Sequence, residues 1–346
     1  MSSTPSTLTA MAQEIAQTPA VVARLFERET GTLEKLGARL RAIDPAVVVT
    51  CARGSSDNAA AYFKYLCEIK EGTPVASVGP SVASIYEAPL KLKGAVVISV
   101  SQSGKSPDIV ALQAAARRAG AFAIAVVNVT DSPLAAEADA VLPLHAGVEH
   151  SVAATKTYLA SAVMLAALVA EWAQDDALRR AARALPEALE KALAADWSEP
   201  EAMLVGAQSA YTIGRGPCLP IAVEAALKLK ETAVLHAEAF SGAEVMHGPL
   251  QLVNEGFPVL AFRPRDASHE AMGQAIDRLK LTGGRVFVAG EATATTRGLP
   301  FSPSGSPLLD PLAMQLSFYG LAEKVARGRG HDPDRPTRLR KVTETI

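Results

Sequence analysis

Along this chain of 346 residues, short apolar runs rich in β-branched side chains take turns with alanine- and leucine-rich segments of helical period. The pattern predicts strands at Val47–Thr50, Ala95–Val100 and Phe122–Val127, and helices at Asn58–Cys67, Asp108–Arg118 and Lys156–Trp172. A parallel connection needs a crossover long enough to be a helix, so this alternation predicts an α/β fold of parallel sheets covered on both faces. The rhythm then recurs. Arg53-Gly54 follows the first strand and Arg215-Gly216 follows the strand-like Ala210–Ile213, while Gly94 opens GAVVISVSQSG and Gly256 opens GFPVLAFRPRD; both pairs lie 162 residues apart. Each is followed by a helical segment and a further glycine-led strand, at Gly120 and Gly284. Two pairs at one offset argue for a duplicated unit, although any two α/β units share the general rhythm. The expected joint is the charged, proline-bearing stretch Ala195–Glu201, which gives units 1–195 and 196–331 and a tail at 332–346.

Composition removes several classes. Hydrophobic residues at 49% and charged residues at 20% supply a core and exclude disorder. Thirty-four basic against 36 acidic side chains leave a net charge of −2, which argues against a nucleic-acid partner. Cys51, Cys67 and Cys218 are odd in number and have no CxxC spacing, so neither a disulfide framework nor a zinc knuckle is expected and a reducing cytoplasm is the expected location. The N-terminal MSSTPSTLTAMAQEI has no basic segment leading into an apolar run, so no signal peptide is expected. The longest uncharged apolar run, TYLASAVMLAALVA between Lys156 and Glu171, falls short of the roughly 20 residues of a membrane span and reads as a buried helix.

Two serine-rich loops follow the first two strands: Arg53-Gly54-Ser55-Ser56-Asp57-Asn58 and Ser101-Gln102-Ser103-Gly104-Lys105-Ser106. Open α/β sheets bind ligands where a parallel strand ends and a helix begins, and hydroxyls beside helix N-terminal N–H groups suit a phosphate. One such loop alone is ordinary helix capping; a pair at equivalent places points to a phosphorylated small molecule. Gly104-Lys105-Ser106 is not a Walker motif, because Ser99 stands where its first glycine is needed, and no GxGxxG occurs; neither a nucleotide nor any other cofactor is expected. Pro220 suits the first turn of a helix running through VEAALKLKETAVL, on which Glu224, Lys228 and Glu231 share one face at i, i+4 and i+7. The bland account of such a stripe is a solvated row of ion pairs. Here the remaining face is apolar, which predicts a packed helix, and the segment runs into His236-Ala237-Glu238 and Glu244-Val245-Met246-His247-Gly248-Pro249. A carboxylate beside a lysine, with a histidine nearby, is equipment for moving protons at a carbonyl carbon. His236, Glu238, Glu244 and His247 could be weighed as metal ligands, but no HExxH or cysteine cluster accompanies them and no metal is expected. In the basic, proline-punctuated tail Asp332–Thr343, Lys341 reads as solvated or, if desolvated, as a Schiff-base former.

The strings SVSQSGKSPD, GVEHSVAATKTY, IGRGPCLPIAVEAALKLKETAVLHAEAF, GAEVMHGPL and DPDRPTRLRKVT resemble the sugar-isomerase (SIS) half of glucosamine-6-phosphate synthase, and still more its stand-alone relatives, the SIS-type glucosamine-6-phosphate deaminases. The resemblance runs from about residue 20 onward. It implies two tandem SIS domains, each a parallel sheet flanked by helices, in a homodimer with active sites at the interface. It also implies that Ser55, Ser56, Ser101, Gln102, Ser103 and Ser106 hold the sugar phosphate, with Val152 in a third binding stretch. Glu231 would move the proton between C1 and C2, with Glu224 and Lys228 as companions. His247, from the neighbouring subunit, would open the ring, and Lys341 matches the lysine that forms a Schiff base with the ketose in the synthase. Three departures bear on substrate choice: Ala154 where the synthase has a hydroxyl, Lys105 for an acidic residue, and Arg53 for a cysteine. Ser2 stands where a glutaminase domain would carry its catalytic cysteine. The expectation is therefore an enzyme that takes a phosphorylated amino sugar to fructose 6-phosphate plus ammonia. The alternatives are galactosamine-6-phosphate deaminase, fructosamine-6-phosphate deglycase and, in another class, a sugar-phosphate-sensing regulator.

Overall fold

The structure, a computed structural model, describes residues 8–341. A 34-residue helix, α1 (Ala10–Ile43), precedes the first sheet. Then follow β1 (Val48–Cys51), α2 (Gly54–Lys70), β2 (Val75–Ser77), the single turn α3 (Ser81–Ser84), β3 (Val96–Ser101), α4 (Pro107–Arg118), β4 (Phe122–Val127), the turn α5 (Pro133–Ala136) and β5 (Ala140–Pro143). Helices α6 (Lys156–Trp172), α7 (Asp176–Leu193) and α8 (Ser198–Gly206) lead to the second sheet. That half contains β6 (Ser209–Gly214), α9 (Cys218–Ala233), β7 (His236–Ser241), β8 (Pro258–Phe262), α10 (His269–Leu281), β9 (Arg285–Ala289), β10 (Gly298–Leu299) and α11 (Asp310–Gly328). The predicted strand β4 and helix α6 match to the residue, and β1 and β3 lie one residue later than predicted.

Every strand pairing is parallel. The first sheet has the order β2-β1-β3-β4-β5 and the second β10-β9-β8-β6-β7, the same order read from the other edge. The equivalence extends to register. Val49 pairs with Ala76 and Val97 in the first sheet, and Tyr211 pairs with Glu238 and Val259 in the second, each 162 residues later. Side chains alternate along β3: Val96, Ile98 and Val100 face the core that joins both halves, while Val97 faces a smaller cluster under α4. A sheet buried on both faces needs such near-continuous apolar strands. Helix α6 is buried over all 17 residues, which is the fate of a helix that is hydrophobic all round. The three cysteines are free and buried, and burial pushes the Cys51 and Cys67 thiols up to about 12. No helix among the described residues is long and apolar enough to cross a membrane.

Candidate active site

The two serine loops occupy the carboxyl ends of β1 and β3, neighbours in the first sheet. Gly54 opens α2 with φ +54°, and its repeat equivalent Gly216 has φ +56°, so each half makes the same left-handed exit from its first strand. Gly104 is more tightly bound to its place. Its φ is +64°, and a Cβ there would lie 2.2 Å from Ser132 Oγ. The loop is braced from within, because Ser101 Oγ accepts the Gly104 N–H at 3.1 Å. Arg53, a departure from the synthase pattern, donates through Nε and Nη2 to the buried Asp108 at 3.1 and 2.9 Å. It thereby ties one serine loop to the start of the helix behind the other.

These loops line a cleft of about 350 Å³ that brings together Ser55, Ser56, Ser101, Gln102, Ser103, Ser106, Val152, Ala154, Glu231, Arg340 and Lys341. Nine of the twelve residues expected to form the site thus meet in one place. Glu224 and Lys228 lie directly beneath Glu231. The row of charges on α9 is not solvated: Lys228 and Glu224 side chains are fully buried, and Glu231 is 23% exposed. Lys228 Nζ donates to Glu231 Oε2 and lies 3.5 Å from Glu224 Oε1. Glu224 also accepts from Asn58 Nδ2 of α2 at 2.8 Å and from the Tyr319 hydroxyl of α11 at 3.0 Å. Burial alone would push the Lys228 amine down, but the charges of Glu224 and Glu231 outweigh it and hold it above its ordinary value, so it remains an ammonium. Burial raises Glu224 and the nearby Glu231 charge adds to this, with Lys228 opposing. The outcome is a buried cation that orients and polarises Glu231, the one carboxylate among the described residues that lines the cleft. The outward positions of α9 are instead Val223, Leu227 and Lys230, so part of its apolar face is uncovered in the single chain.

The tail reaches the cleft along a path that sequence did not reveal. Asp334 accepts the backbone N–H groups of Ala10 and Met11, both at 2.7 Å, capping α1, and its own carbonyl accepts from Val152 N at 3.1 Å. Further on, Lys341 Nζ donates to Glu149 Oε2 at 2.8 Å and to the Ser151 carbonyl at 2.6 Å. Glu149 is the site's main unpredicted residue. Its carboxylate is fully buried and also accepts from Thr155 N (3.1 Å), Thr157 N (3.1 Å) and Thr157 Oγ1 (2.7 Å) at the start of α6. Burial pushes it up, yet the Lys341 charge and the bonds from Lys341 and Thr157 prevail and hold it below its ordinary value.

His247 is not brought to this cleft. It is exposed, between the short 3₁₀ turns Glu244–Met246 and Pro249–Leu252. Lys105 is likewise exposed and points its chemistry elsewhere. With Arg24, Arg28, Asp131 and His145 it lines a second cleft of about 900 Å³ that shares Gln102, Ser103 and Lys341 with the first. Among the described residues, no group of three or more His, Cys, Asp or Glu side chains is arranged to hold a metal ion.

Comparison with known proteins follows the same lines. The SIS domain profile matches residues 44–171 and 203–289, one match for each sheet. The isomerising glutamine–fructose-6-phosphate aminotransferase of Zymomonas mobilis is 32% identical over 358 residues, covering 96% of this chain and 58% of the relative, so the chain spans little more than half of that protein. A candidate phosphosugar isomerase from Silicibacter pomeroyi DSS-3 superposes with a TM-score of 0.91 at 46% identity, over 94% of this chain and all of that one. A glucosamine-6-phosphate deaminase from Thermotoga maritima superposes at 0.77 with 20% identity, over 97% of this chain and all of that one, a likeness of fold. With two profile matches on two sheets of one order, and a relative alike along nearly its whole length, this chain belongs to the SIS domain family.

Proposed function

We propose that the protein is an isomerising amino-sugar-phosphate deaminase, acting on glucosamine 6-phosphate to give fructose 6-phosphate and ammonia. One observation carries this reading: two serine loops suited to a phosphate, a carboxylate backed by a buried cation, and a tail lysine meet in a single cleft. A mere sugar-phosphate sensor needs the loops but has no use for Glu231 set on Lys228. In the reaction the serine loops hold the phosphate and the sugar opens to its aldehyde. Glu231 takes the proton from C2 and returns it to C1 while the C1 oxygen gains a proton and the C2 nitrogen gives one up, so the C1 carbonyl becomes a hydroxyl and the C2 amine becomes an imine. Water adds to the imine and ammonia leaves. His247, exposed in this chain, completes the site as the ring-opening base when a second copy supplies it, which makes the working unit a homodimer.

A second reading, release of a larger amine as in a fructosamine-6-phosphate deglycase, is favoured by the neighbouring cleft. Arg24, Arg28 and Lys105 line it beside Asp131 and the Lys341-paired Glu149, a mixed set of charges suited to a substituent that, like an amino acid, carries both signs. The test is amine release from glucosamine 6-phosphate, galactosamine 6-phosphate and fructoselysine 6-phosphate side by side. Ammonia from the first is expected, and Glu231→Gln should lower turnover by about 10²–10⁴ with the fold intact, the usual cost of losing an acid–base group. No amine from any of the three substrates, or a Glu231→Gln variant of nearly full activity, overturns the assignment.

A further inference from the structure

The contacts of Lys341 bear on what a lysine in this place can do. To attack a carbonyl and form a Schiff base, an amine must be neutral and must present its lone pair. Here two of the three protons of an ammonium are engaged, one by Glu149 and one by the Ser151 carbonyl. The base that would have to take the third is poorly suited to it. Glu149 already accepts from two backbone N–H groups and a hydroxyl at the head of α6, all favouring its charged form, and its side chain is wholly inaccessible to solvent. The arrangement spends a rigid, buried carboxylate on fixing one charge at the rim of the cleft.

We propose that Glu149 is a positioning residue which holds Lys341 as a fixed cation, and that Lys341 serves the reaction by charge and not by covalent attachment to the sugar. The proposal rests on the amine-releasing reading and assigns the tail's part in it. When Glu231 takes the C2 proton, negative charge develops on the oxygen of the opened carbonyl. The ammonium of Lys341, lining the same cleft as Glu231, stabilises that charge with its remaining N–H, and no carbon bond to the lysine nitrogen forms or breaks. Glu149 acts through Lys341 and touches no substrate atom. Among the described residues the lysine is also the one cation common to both clefts, so the carboxylate that fixes it sets the boundary between them.

A pair of variants that leaves Glu149 untouched provides the main test. Lys341→Arg keeps a cation that cannot form a Schiff base and should retain activity within about tenfold of the parent. Lys341→Met should lose about 10²–10³, the cost of removing one charge-stabilising donor. Glu149→Gln should lower kcat by a similar factor with KM little changed, and should cost little more when added to Lys341→Met. The full-length protein with fructose 6-phosphate and borohydride should show no mass increase on the Lys341 peptide. A trapped adduct at Lys341, or a Lys341→Arg variant as inactive as Lys341→Met, overturns the proposal. The trapping arm needs only the ketose phosphate, so it decides the role of Lys341 even if no amine release is found.

Discussion

A single glycine shows how tightly the second serine loop is specified. Position 104 combines a left-handed backbone with a neighbour, Ser132, already inside the space a Cβ would take. Gly104→Ala should therefore destabilise the fold by about 1–3 kcal/mol, the usual range for overpacking a closed site, as read from urea unfolding. Adding Ser132→Gly should recover the steric part and leave the backbone part, and an alanine variant as stable as the parent would show that the loop yields. The serines of these loops were legible from sequence because their chemistry is local: a hydroxyl at the end of a strand and the start of a helix advertises itself within a few positions. Glu149 and Asp334 were not legible. Their partners lie 192 and 324 residues away, at Lys341 and Ala10, and a lone acidic residue in a loop carries no local sign of such a contact. The stripe on α9 was legible as a stripe but not as a buried one. Spacing fixes which side chains share a face, whereas Asn58 and Tyr319, which make burial of Glu224 tolerable, come from helices elsewhere in the chain.

Among the elements, long apolar segments were read correctly and short edges were not. β4 and α6 are six and 17 residues of unbroken signal, whereas β2, β5 and β10 have three, four and two residues and too little periodicity to stand out from loops. The tail is an element in its own right although it has no regular structure. It is fastened at Asp334 to the head of α1 and at Lys341 to Glu149. Asp334→Ala removes a helix cap, a loss of about 0.5–2 kcal/mol, and should free the tail: limited proteolysis should cut near residue 335 sooner than in the parent. The Lys341 end depends on pH. Because Glu149 is held below its ordinary value, its contribution is complete above the unfolded glutamate value of about 4.3 and is lost as pH falls through the lower folded value. Protection of the tail from protease should thus persist at pH 5 and fade only in stronger acid. Equal cleavage rates in Asp334→Ala and parent, or fading above pH 5, would contradict this picture of the tail.

Taken whole, the described residues form two sheets, and the groups expected of a site gather in one cleft. The offset of 162 residues allows the halves to be compared position by position. Where α9 carries Glu224, Lys228 and Glu231, α2 carries Tyr62, Leu66 and Ile69; where the first sheet ends in Ser101, Gln102 and Ser103, the second ends in Arg263, Pro264 and Arg265. Arg265 is moreover committed to the buried Asp310 at 2.7 Å. Calorimetric titration with fructose 6-phosphate should consequently saturate at one ligand per chain, and a value of two would require a site that these side chains do not build. The first half contributes the serine loops and the second the acid–base stripe, through α2 and α9 packed side by side.

That shared register, alike on both sides of β1 and of β6, is the pattern expected of one unit copied within a gene. Beyond those strands the two units part: Val97 pairs with Ala123, whereas Val259 pairs with Val286, one position past the common offset. The same divergence sets Arg263, Pro264 and Arg265 where the first unit has Ser101, Gln102 and Ser103, so equivalent strand ends present different chemistry.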